Sequence, residues 1–118
     1  MKFYIISPPG YSENFSAKNF NIITDLIPVE YFQFRPKFSK LFQRKEFIKK
    51  FHNSFSTICK NKNIKLIINN DFEIADDFFF DGIHLGQNDK SCRKAKERFG
   101  IDFIVGVSCS NSYNFYKI

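Results

Sequence analysis

The sequence predicts an α/β fold in which short parallel strands alternate with amphipathic helices. Three observations carry that expectation. Short apolar runs recur over residues 3–7, 29–37, 66–68, 82–86 and 103–107, and the stretches between them repeat apolar residues at helical spacing. Each intervening stretch is long enough for a crossover connection, which parallel strands require. The third is the segment LIINNDFEIADDFFFDGIHLGQND over residues 66–89, in which two apolar runs each end in Asn, Asp and Gln rather than in a plain turn. Strands that end at a polar site read this way, because ligands of parallel sheets bind at the strands' carboxyl ends.

Length and composition bound the answer. With 118 residues, 43% of them hydrophobic, and 17 Phe, the chain has ample material for one core and is read as one domain over residues 1–118. Its net charge of +6 rests on 14 Lys and 4 Arg. The lysines fall mostly at helix-like spacings in segments 40–62 and 90–98, which describes solvated helix faces rather than a nucleic-acid patch. The positive field also helps collect phosphorylated small molecules, which are the expected partners. Neither nucleic acid nor membrane is expected. Cys59, Cys92 and Cys109 form no CxxC and no Cys/His ligand spacing, so reduced thiols in a cytosol fit them best. After Lys2 only Phe3-Tyr4-Ile5-Ile6 precedes Ser7-Pro8-Pro9-Gly10, too short a run for a signal-peptide core or a membrane span. A cytoplasmic protein is expected.

Taken in order, residues 3–7 form a strand closed by Pro8-Pro9-Gly10. Ser16 caps a helix whose stripe is Phe20, Ile23 and Ile27, flanked by Ile22 and Leu26 and ended by Pro28. A second strand covers 29–37. Phe47, Ile48, Phe51, Phe55, Ile58 and Cys59 give the clearest amphipathic stripe, a helix over about residues 43–61 that Asn61-Lys62-Asn63 ends. The third strand follows at once. Ile74, Ala75, Phe78 and Phe79 then lie on one face of a helix of about two turns. Strand four covers 82–86, Cys92, Ala95 and Phe99 line a helix that ends at Gly100, and strand five covers 103–107. Residues 111–118 read as the start of a further helix. Strand five is therefore expected to keep an open apolar edge, available for self-association or for a complementing chain.

Three groups of residues can carry chemistry. In the second strand Phe32 and Phe34 take one face while Gln33, Arg35 and Lys37 take the other. Pro36 lacks a backbone donor, so the strand leaves the sheet there and puts Lys37 at its carboxyl-end rim. Charges on a face that normally packs inward need an anion or a partner. The row thus suggests a phosphate or pyrophosphate, with Arg35 offering a planar fork and Lys37 a point charge. The alternative pairs Arg35 with Asp71 or Asp89 in a structural bridge. Asn69, Asn70, Asp71 and Asp89 offer hard oxygen ligands at two strand ends, and Mg²⁺ is usually held by one or two carboxylates plus substrate phosphates. Asp71 and Asp89 also stand just before helical stripes, and by spacing alone the N-cap is their better reading. His84, between Ile83 and Leu85, points to the site side of strand four, either as a core histidine or as a ligand contact. Ser108, after Gly106-Val107, can donate to a phosphate oxygen, whereas Cys109 has no base in evidence.

Together these residues resemble the thiamine-phosphate synthase family, which includes the related thiazole tautomerases, from about residue 2 to residue 110. The resembling motifs are Gln33-Phe34-Arg35-Pro36-Lys37 for its Q-x-R-x-K strand, residues 66–70 for its I-I-N-D strand end, residues 81–89 (DGIHLGQND) for its D-G-V-H-L-G-Q-x-D signature, and Gly106-Val107-Ser108 for its G-V-S. The D-G-x-H-L-G-Q-x-D string is specific; the others alone are weak. The resemblance implies a TIM-type (β/α) barrel, here incomplete with about five strands of eight. It implies a transferase that joins hydroxymethylpyrimidine diphosphate to thiazole phosphate, the diphosphate leaving with help from Mg²⁺. Carried over by position, Gln33, Arg35, Lys37, Asn69 and Ser108 would hold the pyrimidine diphosphate and Asp89 would bind Mg²⁺. Counted back from Asp81 without a gap, the family's first metal aspartate falls on Asn70, and Asp71 takes that place if the helix is one residue shorter. With the later strands missing, the chain is expected to be inactive alone. A non-catalytic remnant or phosphate-binding module is the alternative. A thiazole tautomerase is a third reading, disfavoured by Gln33, Arg35, Lys37 and Asp89, since that reaction needs no diphosphate site.

Overall fold

The computed structural model describes residues 1–86, 89–108 and 115–117. Its elements are β1 (Phe3–Ile6), α1 (Ala17–Leu26), β2 (Val29–Phe34), α2 (Leu41–Lys62), β3 (Lys65–Asn69), α3 (Phe72–Asp77), β4 (Gly82–Leu85), α4 (Asp89–Phe99), β5 (Ile104–Ser108) and β6 (Phe115–Lys117). Strands β1 to β5 alternate with helices, the α/β class of an incomplete TIM-type barrel. The chain packs as two compact units, Met1–Leu66 and Ile67–Ile118.

In the first unit β1 runs parallel to β2, with Tyr4 opposite Tyr31, Ile5 opposite Phe32 and Ile6 opposite Gln33. Alternation along β2 sends Phe32 and Phe34 toward the helices, where they meet Phe47 and Phe55 of α2, and all four rings are essentially inaccessible to solvent. Phe55 sits at the centre of this cluster, its ring centroid 4.8 Å from Phe20, 4.9 Å from Phe15, 5.3 Å from Phe32 and 5.4 Å from Phe34. Such offset and edge-on pairs add to the burial of the rings themselves. Helix α1 begins as expected at Ser16, whose Oγ accepts from the Asn19 N–H at 3.1 Å. Lys62 joins α2 to α1 through Asp25 at 2.7 Å and the Thr24 hydroxyl at 2.7 Å. Asn63 closes α2 in the left-handed region at φ 57°, which Asn tolerates better than most residues.

Two sequence expectations need correction here. Of the α1 stripe only Phe20 is buried, and Ile22, Ile23 and Leu26 stay exposed, Leu26 at 77%. The Phe20 ring alone spans the gap to Phe32 and Phe55, at 4.7 and 4.8 Å. Strand β2 ends at Phe34 rather than at Lys37, and Arg35 and Lys37 are exposed instead of lying on a buried face. The loop after β1 takes over their backbone bonds: the Arg35 N–H donates to Ser7 Oγ at 2.8 Å, and the Lys37 N–H donates to the Pro9 carbonyl at 2.8 Å.

In the second unit β3, β4 and β5 run parallel in that order. Asn69 is opposite His84, and His84 opposite Gly106. Gly82 is required by the close approach of β4 to β5, since a Cβ there would lie 2.3 Å from the Ile104 carbonyl oxygen. Helix α3 is shorter than expected. Ile74 is fully buried, Phe78 already lies past the last turn, Phe79 is 58% exposed, and Phe80 takes the core position instead. Helix α4 buries Cys92 and Ala95 as expected and ends at Gly100, which has φ 102°.

The chain after β5 also departs from expectation. Where a helix was predicted, Phe115–Lys117 forms β6, antiparallel to β5, with Phe115 opposite Ser108 and Lys117 opposite Gly106. The connection is too short for a crossover, and pairing satisfies backbone groups that the edge of β5 would leave bare. The β5 edge is thus occupied by β6 rather than open. No helix among the described residues is long and apolar enough to cross a membrane.

Three substitutions test this account of the packing. Phe55→Ala should cost about 3–5 kcal/mol by emptying the centre of the aromatic cluster, whereas Phe42→Ala, at an exposed ring, should stay within about 0.5 kcal/mol. Chemical denaturation followed by circular dichroism measures both. Gly82→Ala should cost about 1–3 kcal/mol, because β4 and β5 must move apart to admit a methyl group. A Gly82→Ala chain that unfolds at the wild-type midpoint would contradict the close approach.

Candidate functional site

The candidate residues fall into two groups, one in each unit. In the first unit, Gln33 is fully buried on the face of β2 opposite Phe32 and Phe34, 1% exposed. Its Nε2 donates to the Tyr4 hydroxyl at 3.0 Å, and its Oε1 is buried with no hydrogen-bond partner among the described residues. A buried amide oxygen without a donor costs free energy, so it marks a place where a ligand group is expected. The Tyr4 ring stacks on Tyr31, centroids 5.2 Å apart and 24° from coplanar. Burial pushes the Tyr4 phenol above its ordinary value of 10.0, and the Gln33 amide offsets part of that rise. Ser7 is buried beside this group. Its N–H donates to the Gln33 carbonyl at 2.8 Å, while its Oγ holds the Arg35 N–H. The Arg35 guanidinium is exposed, and its residue's hydrogen bond among the described residues is made by the backbone. Of the two carboxylates weighed for a bridge to it, Asp71 belongs to the other unit and the Asp89 side chain lies outside the described residues. Arg35 can therefore turn its fork toward an anion without losing an internal contact.

In the second unit, parallel pairing collects side chains from three strand ends. Asn69 ends β3 and is buried; Asn70 follows it in the left-handed region at φ 62° and is exposed. The Asn70 N–H donates to the His84 carbonyl at 2.9 Å, and the Asp71 N–H donates to the Asn69 carbonyl at 2.8 Å. This pair of bonds turns the chain sharply from β3 into α3. Asp71 occupies the N-cap position of α3, but its side chain makes no capping hydrogen bond, so the capping role read from spacing is not taken up. On β4, His84 points to the face opposite Ile83 and Leu85, as expected. It is 7% exposed, and its Nε2 lies 2.5 Å from Ser108 Oγ. Gly106 makes room for the ring, for a Cβ there would come within 3.1 Å of His84 Nδ1.

The arrangement can present hydroxyl, amide and carboxylate groups at the carboxyl ends of β3, β4 and β5. Among the described residues no three His, Cys, Asp or Glu side chains gather as a metal site. A divalent cation here would depend on the oxygens of Asn70 and Asp71, together with phosphates of a ligand. That donor chemistry fits Mg²⁺, which keeps few protein ligands, and does not fit a soft metal. Asp89 is the first residue of α4, and its side chain lies outside the described residues. Cys109 lies outside them as well, while Cys59 and Cys92 are buried on α2 and α4.

Three participants were not singled out from the sequence. Tyr4 looked like one apolar strand residue among four, and only the β1–β2 register brings its hydroxyl to Gln33. Ser7 looked like the start of a Pro-rich turn. Gly106 was read as part of a motif, whereas its work is to leave space for an imidazole on the neighbouring strand.

Known proteins resemble this chain over most of its length. The family described as thiamine monophosphate synthase matches residues 3–117. The thiamine-phosphate synthase of Geobacillus thermodenitrificans is 35% identical over 83 residues, covering 70% of this chain and 37% of that protein. The thiamine-phosphate synthase of Bacillus cereus is 35% identical over 80 residues, covering 68% of this chain and 36% of that protein. That of Lactococcus lactis subsp. cremoris is 29% identical over 107 residues, covering 86% and 49% respectively. The chain thus spans less than half the length of these curated relatives. With the matched region running through both groups of strand-end residues, the chain belongs to the thiamine monophosphate synthase family.

Proposed function

We propose that this chain provides the pyrimidine-diphosphate side of a thiamine-phosphate synthase and acts in thiamine biosynthesis in the cytoplasm. The observation that supports it most is the strand-end row in the second unit. Asn69, His84 and Gly106 stand in register, and Ser108 Oγ lies 2.5 Å from His84 Nε2. Held there, the Ser108 hydroxyl can turn its proton to a phosphate oxygen while the imidazole fixes the oxygen's position, which is the preorganisation that phosphate recognition needs. Asn69 adds an amide at the same level. In the first unit, Arg35 offers two parallel N–H bonds and Lys37 a point charge to a diphosphate, and Gln33 presents Oε1 to the ring. Bound Mg²⁺, held through Asp71 or Asn70 together with Asp89, would neutralise charge on the departing diphosphate. Thiazole phosphate, the second substrate, is not assigned to any residue here, and the chain alone is expected to bind the first substrate without joining the two.

Calorimetric titration with pyrophosphate and Mg²⁺ tests the site. Arg35→Ala should weaken binding by about ten- to a hundredfold, the equivalent of losing a charge-assisted hydrogen bond. Because Arg35 is exposed, its thermal stability should not change. Lys94→Ala, on an exposed stretch of α4, should bind as wild type does. Equal affinities in all three would mean that the family membership records ancestry without a surviving diphosphate site.

Asn70→Asp separates the two candidate metal ligands. Asp also tolerates the left-handed conformation, so the turn is kept while a negative charge is added. If Asn70 stands at the ligand position, pyrophosphate binding should require several-fold less Mg²⁺. An unchanged Mg²⁺ dependence would assign the position to Asp71.

A further inference from the structure

The Gln33 amide is a group with two chemically opposite ends, only one of which can face a ligand. Its Nε2 lies 3.0 Å from the Tyr4 hydroxyl, and its Oε1 is buried with no partner among the described residues. Turned over, the amide would take a proton from the Tyr4 hydroxyl on its oxygen and put its two-proton end in the buried place that Oε1 holds, so the contact with Tyr4 and the polarity shown to a ligand are linked. Tyr4 is itself fixed. It lies opposite Tyr31 in the β1–β2 register and stacks on it, and the elevated titration of its phenol keeps the hydroxyl neutral at any physiological pH. The stack fixes Tyr4, Tyr4 holds one end of Gln33, and the other end is left as a hydrogen-bond acceptor.

We propose that Tyr4 is a positioning residue that sets the polarity of Gln33, so that the first unit selects a ring carrying an N–H donor over the same ring carrying a carbonyl. This rests on the proposal that Gln33 meets the ring of the substrate. An amino group supplies the donor that Oε1 lacks. A carbonyl oxygen in its place would set two acceptors against each other in a buried position, and rejection of that kind is strong because a polar group is left unpaired.

The test uses the full chain, with Mg²⁺ present, and three probes: hydroxymethylpyrimidine diphosphate, whose ring carries an amino group, its oxo counterpart, and pyrophosphate. Wild type should bind the amino ring at least about tenfold more tightly than the oxo ring. Tyr4→Phe keeps the ring stacked on Tyr31 but removes the acceptor for Nε2, freeing the amide to turn over. It should bind pyrophosphate as wild type does while the preference between the two rings disappears. An unchanged preference in Tyr4→Phe, or no preference in wild type, overturns the inference. If wild type binds none of the three probes, the diphosphate reading fails, and the positioning role is then decided without a ligand. The two Gln33 side-chain amide protons should resonate well apart in wild type and approach the values of a solvated glutamine in Tyr4→Phe. Identical amide signals in the two chains overturn it.

Discussion

At Gly82 the backbones of β4 and β5 approach so closely that no side chain fits between them, and a Cβ would lie 2.3 Å from the Ile104 carbonyl oxygen. That contact fixes the register of the second unit. Once Gly82 faces Ile104, His84 must face Gly106, and the absence of a side chain at Gly106 is what leaves room for the imidazole to reach Ser108. The same register aligns Asn69 with His84 on the other side. Because strand side chains alternate, the opposite face of these strands is free to be apolar, and Ile83, Leu85, Val105 and Val107 fill it. A polar row and an apolar core are built from the same three strands by a period of two.

The first unit uses the same economy on β2. Phe32 and Phe34 enter an aromatic cluster centred on Phe55, while the residue between them, Gln33, points away from it. Large rings suit a unit of this size, since each buries much area while ordering few side-chain torsions. The rigidity of that cluster matters to the site as well as to stability. Gln33 can carry an unsatisfied oxygen only because its backbone is held by neighbours that are tightly packed, and the cost of the orphaned atom is offset by those contacts. Sites of recognition are often where such a cost is left in place, for a ligand can then remove it.

Cationic groups are placed differently from the polar row. Sequence alternation put Arg35 and Lys37 on the inward face of a continuing strand, yet β2 stops at Phe34 and both residues emerge into solvent. Pro36 is the cause, since it cannot donate to a ladder, and Ser7 and Pro9 of the β1 loop accept the backbone N–H groups that remain on either side of it. An exposed guanidinium with a pinned backbone keeps its hydration until an anion arrives, which avoids the large desolvation cost of a buried one. The first unit therefore combines buried neutral groups, Gln33 and Ser7, with exposed charges at Arg35 and Lys37.

What the sequence determined by itself was the alternation of strands and helices, because apolar spacing of two or of three to four residues is a local property. The Ser16 cap, the ends of α2 and α4 at Asn63 and Gly100, and the face of His84 were legible for the same reason. The motif over residues 81–89 made the family legible, although not the reason for its glycine. Tertiary structure decided what depends on a neighbour distant in sequence. Ile22, Ile23 and Leu26 have the spacing of a core stripe but stay exposed, because Phe20 alone fills the gap to Phe32 and Phe55. Phe115–Lys117 pairs with β5 instead of starting a helix, because an edge strand offers unpaired backbone groups that local propensity does not register. Tyr4 joins the site only through the β1–β2 register, which no pattern within β1 records, since a hydrogen bond between residues 4 and 33 exists only once two strands lie side by side.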